Sequence, residues 1–348
     1  MEMVVFVVKS LGINGMNRIV LSQISVMHKD FRCVVLYFKD KTPDWKDRFE
    51  ALAEVYKIEG KGFKNLVKLV SFFAENRNSI RYVFLHDIPF ALRILPAVCI
   101  TGLLNRSFLY YHSLETLSKS KYLLLEKIFS PLVGRFFVSI NAASVVFFRT
   151  GVSIPDGCVI INGIQPSLYD VVGYERSSFL SLVMLSRIKH SKGVERFLEV
   201  SKSLGRIFSP DSFKCILVGI AENRAVYEKL SQQLSVEMCQ ENVWKIVASS
   251  TAGFVASDRE GMCLVPVEFS LYRRSCFLPK VSCYSGFYSS EEVLYYGLDD
   301  KNFCYCIALI LLNPRLLLVK ALNMRRLFFT SYIADRMIAS LKKSIRLG

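Results

Sequence analysis

The chain has 348 residues, 52% of them hydrophobic and 22% charged, with a formal net charge of +15. That length suits two domains rather than one core, and that composition excludes a disordered chain. Its ten cysteines and four histidines are scattered with no CxxC pair, which argues against a structural zinc site and against a disulfide framework.

Mean hydropathy is +0.31, so membrane spans have to be weighed. The longest apolar stretches, "ILPAVCITGLL" (94–104) and "FCYCIALILL" (303–312), fall well short of the roughly 20 residues a spanning helix needs. The opening "MEMVVFVVKSLGING" has no basic n-region and no small-residue cleavage site, and reads as a buried strand entering a glycine loop. The expectation is a cytoplasmic protein, with a peripheral place on the inner face of the membrane as its extension. Charge is uneven: +8 over residues 1–165, zero over 166–313 and +7 over 314–348. Basic ends around a neutral middle suit an anionic surface, such as phospholipid, a phosphorylated lipid carrier or nucleic acid. A generic solubility charge is the plain alternative.

In chain order, "MVVFVV" (3–8), "CVVLYF" (33–38), "YVFLH" (82–86), "SFLYYH" (107–112), "RFFVSI" (135–140) and "CVII" (158–161) read as buried strands. Helix-length stretches at 64–76 and 115–131 separate them. The rhythm weakens over 162–178 and restarts with strands at 179–185, 213–219, 251–257 and 275–279, and helices at 193–206, 222–234 and 239–249. A βαβα alternation predicts parallel sheets covered by helices on both faces. The expected fold is α/β, two Rossmann-like domains facing a cleft. The boundaries are 1–168 for the first domain and 169–329 for the second. A C-terminal helix is expected at 330–348. That tail, "TSYIADRMIASLKKSIRL" (330–347), is amphipathic with Ile333, Met337, Ile338, Leu341 and Ile345 near one stripe, and its basic face either touches lipid headgroups or is solvated.

Ligands of open α/β sheets sit beyond the carboxyl ends of strands, and four stretches fall there. In "KSLGINGMNR" (9–18), a helix starting near Gly15 aims free N–H groups at an anion, though any strand-to-helix turn favours glycine. In "LSRIKHSKGVERF" (185–197), Arg187 and Lys192 precede Gly193 at a helix start, where two cations can hold a diphosphate or form a solvated basic turn. In "FVASDREGMCLVPVEFS" (254–270), Glu260 lies in a loop and a helix runs from about Leu264 through Glu268. The amides of Gly261, Met262, Cys263 and Leu264 then lie at its N-terminus. Glu268 can accept two hydrogen bonds from a vicinal diol and Glu260 can meet a sugar ring; two capping or solvated carboxylates are the alternative. In "YYHS" (110–113), His112 ends a strand and points to the cleft, unless it is structural, as the histidine of "LHD" (85–87) is also read.

Taken in order, these stretches, with "VIINGIQPSLY" (159–169), resemble the family-4 retaining glycosyltransferases of GT-B fold along nearly the whole chain. The resemblance implies that Arg187 and Lys192 hold the donor diphosphate, that Glu268 binds the ribose hydroxyls and that Glu260 faces the transferred sugar. It also implies that His112 contacts the sugar near its reacting carbon and that Gly15 lets the first domain approach the phosphate or the acceptor. On the same resemblance the first domain is the acceptor side, the second is the nucleotide-sugar domain, and the C-terminal helix crosses back to the first domain. Glu260, His112, Arg187 and Lys192 are the implied catalytic set. No metal and no cofactor are implied; the donor, a UDP- or GDP-sugar, is a substrate. Retention is then explained by front-face attack without a protein nucleophile. The sequence departs from the family at Asn14-Gly15, where two glycines are usual, and after Glu268, where a Gly-rich turn is usual.

The expected function is therefore hexosyl transfer from a nucleotide-sugar to a hydroxyl of a surface glycan or glycolipid, such as lipopolysaccharide or capsule. The alternative is a non-catalytic sugar-nucleotide or glycan-binding subunit. Nucleic-acid binding rests on charge alone, without a recognised motif, and is not expected.

Overall fold

The computed structural model describes the chain apart from residues 41–44, 61–62, 113–119, 152, 155–156, 170–178, 189–191, 220–227, 229, 231, 233–234, 239–242, 298–301 and 348. It divides into two compact units, Met1–Gln165 with Tyr332–Gly348, and Pro166–Ser331.

In the first unit the strands are β1 (Met3–Val7), β2 (Arg32–Tyr37), β3 (Glu54–Lys57), β4 (Ile80–Leu85), β5 (Ser107–Tyr111) and β6 (Gly134–Phe137). They pair in the order β3-β2-β1-β4-β5-β6, every pair parallel. The helices are α1 (Gly15–Met27), α2 (Lys46–Glu50), α3 (Phe63–Asn76), α4 (Ile88–Ile100), α5 (Ser120–Phe129) and α6 (Ile140–Thr150). All five residues of β1 are buried, as a central parallel strand with both faces covered requires. The strand order reverses between β1 and β4, so the loops that follow these two strands flank the crevice where such sheets bind ligands. The first carries Gly15 and the second His86.

The second unit repeats the plan. Its strands are β7 (Leu180–Leu185), β8 (Phe213–Gly219), β9 (Ser235–Met238), β10 (Ala252–Phe254), β11 (Ser275–Pro279) and β12 (Leu294–Tyr296), parallel in the order β12-β11-β10-β7-β8-β9. Its helices are α7 (Val194–Leu204), α8 (Val243–Ser249), α9 (Val265–Leu271), α10 (Ser282–Ser285), α11 (Phe303–Leu311) and α12 (Pro314–Leu327). The order reverses between β10 and β7. The loops after those two strands carry Arg187 with Lys192, and Glu260 with Gly261–Leu264.

Helix α13 (Ala334–Leu347) belongs to the first unit and packs on α1, burying Met337, Ile338 and Leu341. The segment before it is pinned to residue 164: the Ile164 amide donates to the Tyr332 carbonyl at 2.9 Å, and the Ala334 amide to the Ile164 carbonyl at 3.0 Å. A Cβ at Gly163 would stand 2.5 Å from the Ile333 carbonyl oxygen, so the glycine of the Asn-Gly pair after α6 serves this docking. On the basic face of α13, Lys342 is paired with Asp30 at 2.6 Å.

The structure corrects several sequence expectations. "CVII" (158–161) is no strand: Val159 forms a single bridge to Phe137 before the chain turns away to meet residues 332–334. Strand β3 was not expected because its ends are Glu54 and Lys57, charges suited to an edge strand. Strands β9 and β12 are only four and three residues long. Helix α4 was masked by its interior Pro96. "RFFVSI" splits, with Ser139 capping α6 through a hydrogen bond from the Ala142 amide at 3.1 Å. Residues 115–119 of one expected helix, the end of the 162–178 stretch, and most of the expected helix at 222–234 lie outside the described residues. No described helix is long and apolar enough to cross a membrane by itself.

Candidate functional site

Three clusters form at the carboxyl ends of the two sheets. In the second unit, β7 ends at Leu185, and Gly193 turns the chain into α7 with φ +72°. A Cβ on Gly193 would lie 2.3 Å from the Ala256 carbonyl oxygen. Only glycine therefore lets the β7–α7 turn lie against the loop after β10. That contact brings Lys192 Nζ to 2.6 Å from Glu260 Oε1, with the two side chains 13% and 20% exposed. Arg196, one turn into α7, donates to the Ala256 carbonyl and makes a bidentate pair with Asp258. Two residues expected to act separately, one on diphosphate and one on sugar, are thus joined as an ion pair. Arg187 is exposed and bonded through its guanidinium to no described residue.

The loop from Val255 to Leu264 is held by its carbonyls. Tyr296 donates to the Val255 carbonyl at 2.8 Å, Tyr284 to that of Ser257 at 2.6 Å, and Tyr288 to that of Cys263. With its oxygens engaged from below, the loop keeps the amides of Gly261, Met262, Cys263 and Leu264 unbonded to any other described residue. Burial drives the Cys263 thiol well above its ordinary value, with Glu260 and Cys276 adding to the shift and Lys192 opposing it. This thiol is packing, not a nucleophile.

Glu268 stands in the first turn of α9 and is 1% exposed. The Tyr169 hydroxyl donates to its Oε1 at 3.1 Å. Tyr169 packs against Trp244 with the rings tilted by 59° and their centroids 4.7 Å apart, and Trp244 stacks on Tyr272 at 5.9 Å. The carboxylate is therefore held from an aromatic wall rather than lying open. After α9, Arg273 adopts φ 57° at the position where glycine usually stands, and the Arg274 amide closes the turn on the Phe269 carbonyl at 3.0 Å. The missing Gly-rich turn is replaced by an arginine in a left-handed conformation. Replacing Tyr169 by Phe strips a hydrogen bond from a buried carboxylate; we expect a loss of about 1–3 kcal/mol in a urea titration and weaker nucleotide binding.

In the first unit, Asn14 caps α1 by accepting from the Asn17 amide at 2.9 Å, which explains an asparagine where a second glycine was expected. Asn17 in turn donates to the carbonyls of Ser10 and Gly12 at 2.8 and 2.6 Å. A Cβ on Gly15 would meet none of the described residues within 4 Å, so no packing among them demands glycine there.

His112 does not stand alone. His86, at the end of β4, brings Nδ1 to 2.7 Å from His112 Nε2, and both rings stack with Tyr110, whose centroid lies 5.4 Å from that of His86 and 4.5 Å from that of His112. One proton occupies that short contact, so the tautomer of one ring dictates that of the other. His86 Nε2 and His112 Nδ1 bond to no described residue. Asp87, next in sequence, holds φ 62°, a left-handed backbone conformation of a kind stored at functional sites. Burial, then His112, holds His86 well below the ordinary histidine range, and burial brings His112 to about 3. Both rings are neutral when folded, whereas the unfolded chain protonates them near 6.5. The stability they carry is complete above that value and falls as pH drops below it, because only the unfolded state takes up the protons. We expect the urea midpoint to be flat from pH 8 to 7 and to fall between pH 6.5 and 5. In the double variant His86→Gln/His112→Gln the fall is reduced.

Sequence reasoning missed His86 as a partner, Tyr169 as the Glu268 donor, and the three tyrosines under the loop. Tyr169 closes the "VIINGIQPSLY" stretch, and the tyrosine density of residues 284–296 was the available signal for a hydroxyl scaffold. Among the described residues, no group of three or more His, Cys, Asp or Glu side chains is placed to hold a metal ion.

No family model and no curated protein matches the chain. Solved structures do. The chain superposes on Anabaena HepE in complex with UDP-glucose with a TM-score of 0.81, at 14% identity and covering 100% of both chains. It matches a glycosyltransferase from Rickettsia africae with a TM-score of 0.76, at 12% identity, over 99% of this chain and 98% of that one. The lipopolysaccharide outer core galactosyltransferase WaaB in its apo form follows with a TM-score of 0.61, at 14% identity, over 99% of both. These likenesses identify the architecture as the GT-B α/β fold.

Proposed function

We propose that the chain is a retaining glycosyltransferase of family 4 that moves a hexosyl group from a nucleotide-sugar to a hydroxyl of a surface glycan or glycolipid. The observation that carries this reading is the Lys192–Glu260 pair, locked by Gly193 against a loop whose free amides, Gly261–Leu264, open the helix bearing Glu268. Cation, amides and carboxylate are the three recognition elements that a diphosphate, a sugar and a ribose diol require. In this reading Arg187 and Lys192 stabilise the departing diphosphate, Glu260 passes from Lys192 toward the sugar, and Glu268 takes the ribose beside Tyr169. His112, its ring oriented by His86, serves the transferred sugar, and Gly15 leaves room for phosphate or acceptor. The departing phosphate takes the acceptor's proton, so no protein nucleophile is required, and fixed cations stand in for a metal. The nucleotide-sugar is a substrate, and no cofactor takes part. A UDP donor is favoured over GDP because the HepE crystal holds UDP-glucose. WaaB, a lipopolysaccharide galactosyltransferase, supports the same class of acceptor. The first unit serves the acceptor and the second the donor, in a cytoplasmic protein at the inner membrane face.

A second reading, a non-catalytic sugar-nucleotide-binding subunit, is favoured by Tyr169 on Glu268 and by the left-handed Arg273 after α9. A thermal-shift panel of UDP-, GDP-, ADP- and CMP-sugars tests the site itself. Stabilisation by one nucleotide class, about 2.7 kcal/mol at about a hundredfold excess over the dissociation constant, is expected. A flat response to all four removes both readings.

A further inference from the structure

Helices α11 and α12 expose a long apolar face. On α12, Arg315, Leu318, Val319, Leu322 and Arg326 recur at helical spacing, and Phe329 continues the row in the π-turn that follows. Leu318 is 41% exposed, Val319 51%, Leu322 46% and Phe329 47%, while Leu317, Ala321 and Met324 on the opposite side are buried in the unit. On α11, Tyr305, Leu309 and Leu312 form a second exposed row at 59%, 52% and 59%. The two helices meet at a 91° bend, so they do not form one straight span. From Arg315 to Phe329 the α12 row runs about 21 Å at the helical rise.

The charge carried by these two helices is of one sign. No Asp or Glu occurs between Asp300 and Asp335, a stretch that contains Arg315, Lys320, Arg325 and Arg326. Lys320 and Asn323 turn to the carbonyls of Ser290 and Glu291 at one edge, and Glu292 in that loop is bonded to Ser289. Arg325 lies over the Phe329 ring, its Cζ 5.7 Å from the centroid. Arginines flank the leucines, and no carboxylate interrupts them.

We propose that the α11–α12 face docks on an anionic phospholipid surface, its leucines and Phe329 entering the acyl boundary and its arginines resting at the phosphates. A bilayer interface supplies both halves of that complementarity in one plane, acyl chains below and negative headgroups above. The inference is independent of the sugar-transfer reading, because none of these side chains belongs to the site after β7 and β10.

The test is co-sedimentation of the full chain with vesicles of phosphatidylcholine alone, or with about a quarter phosphatidylglycerol. The wild type is expected to bind the anionic vesicles at least about tenfold better. Leu318→Glu/Leu322→Glu and Arg325→Glu/Arg326→Glu are each expected to lower that binding by about tenfold or more, with the thermal melt unchanged. Should either double variant melt early, Leu322→Gln is read in its place. Phe148→Glu, at a position 84% exposed on α6 of the first unit, is expected to leave binding intact. Absence of wild-type binding, equal binding to neutral vesicles, or loss with Phe148→Glu but not with the α12 variants overturns the proposal. So does a concentration-dependent dimer that Leu318→Glu/Leu322→Glu dissolves in a chain that ignores vesicles, since the face is then covered by a second copy.

Discussion

Lys192→Ala and Arg187→Ala are each expected to lower the release of nucleotide from a donor sugar by about 10²–10³-fold. A fixed donor aimed at developing negative charge contributes that much to a transition state, and the departing diphosphate is where the charge develops. The Lys192 variant has a second consequence. It leaves Glu260, 20% exposed, without the cation 2.6 Å away, so part of its loss is structural. The variant Lys192→Met/Glu260→Gln separates the two effects. It removes both charges together, and we expect its melting temperature to return toward the wild type while turnover stays low. Arg187 is exposed, so Arg187→Ala is expected to change turnover and leave the melt alone. Equal, background-level release from wild type, Glu260→Ala and Arg187→Ala would instead assign the chain to the binding-subunit reading.

Gly193→Ala is expected to destabilise the second unit by about 2–5 kcal/mol, measured as a shift of the urea midpoint. Two costs combine. A non-glycine residue at φ +72° carries about 1–2 kcal/mol of backbone strain. Its Cβ, 2.3 Å from the Ala256 carbonyl oxygen, also pushes the loop away at a cost of about 1–3 kcal/mol. That displacement also separates Lys192 from Glu260, so donor binding should fall with stability. Gly286→Ala is the control: a Cβ there meets nothing within 4 Å and φ is −75°, so the midpoint should stay within about 0.5 kcal/mol of wild type. A Gly193→Ala protein as stable as wild type would contradict the close packing of the two loops.

Much of this was legible in the residues alone. Strands β1, β2, β4, β5, β7, β8 and β11 announce themselves as short apolar runs, because a parallel strand buried on both faces has no polar side to display. The alternation with helices then dictates parallel sheets, and strand ends nominate Gly15, His112, Arg187, Lys192, Glu260 and Glu268. Short or charged strands escaped for the opposite reason. β3 lies at a sheet edge and keeps Glu54 and Lys57, while β9 and β12 are too short to carry a pattern.

Partnership was decided by tertiary structure. Lys192 and Glu260 are 68 residues apart, His86 and His112 are 26, and Tyr169 and Glu268 are 99. Nothing local links the members of any pair. Sheet order brings the first two pairs together: β7 lies beside β10 and β4 beside β5, so loops distant along the chain become neighbours at the same sheet end. A sequence names the groups that can carry charge or a proton, through composition and strand position. Which of them neutralise, orient or cover one another depends on strand order, a property of the whole sheet that no single segment encodes.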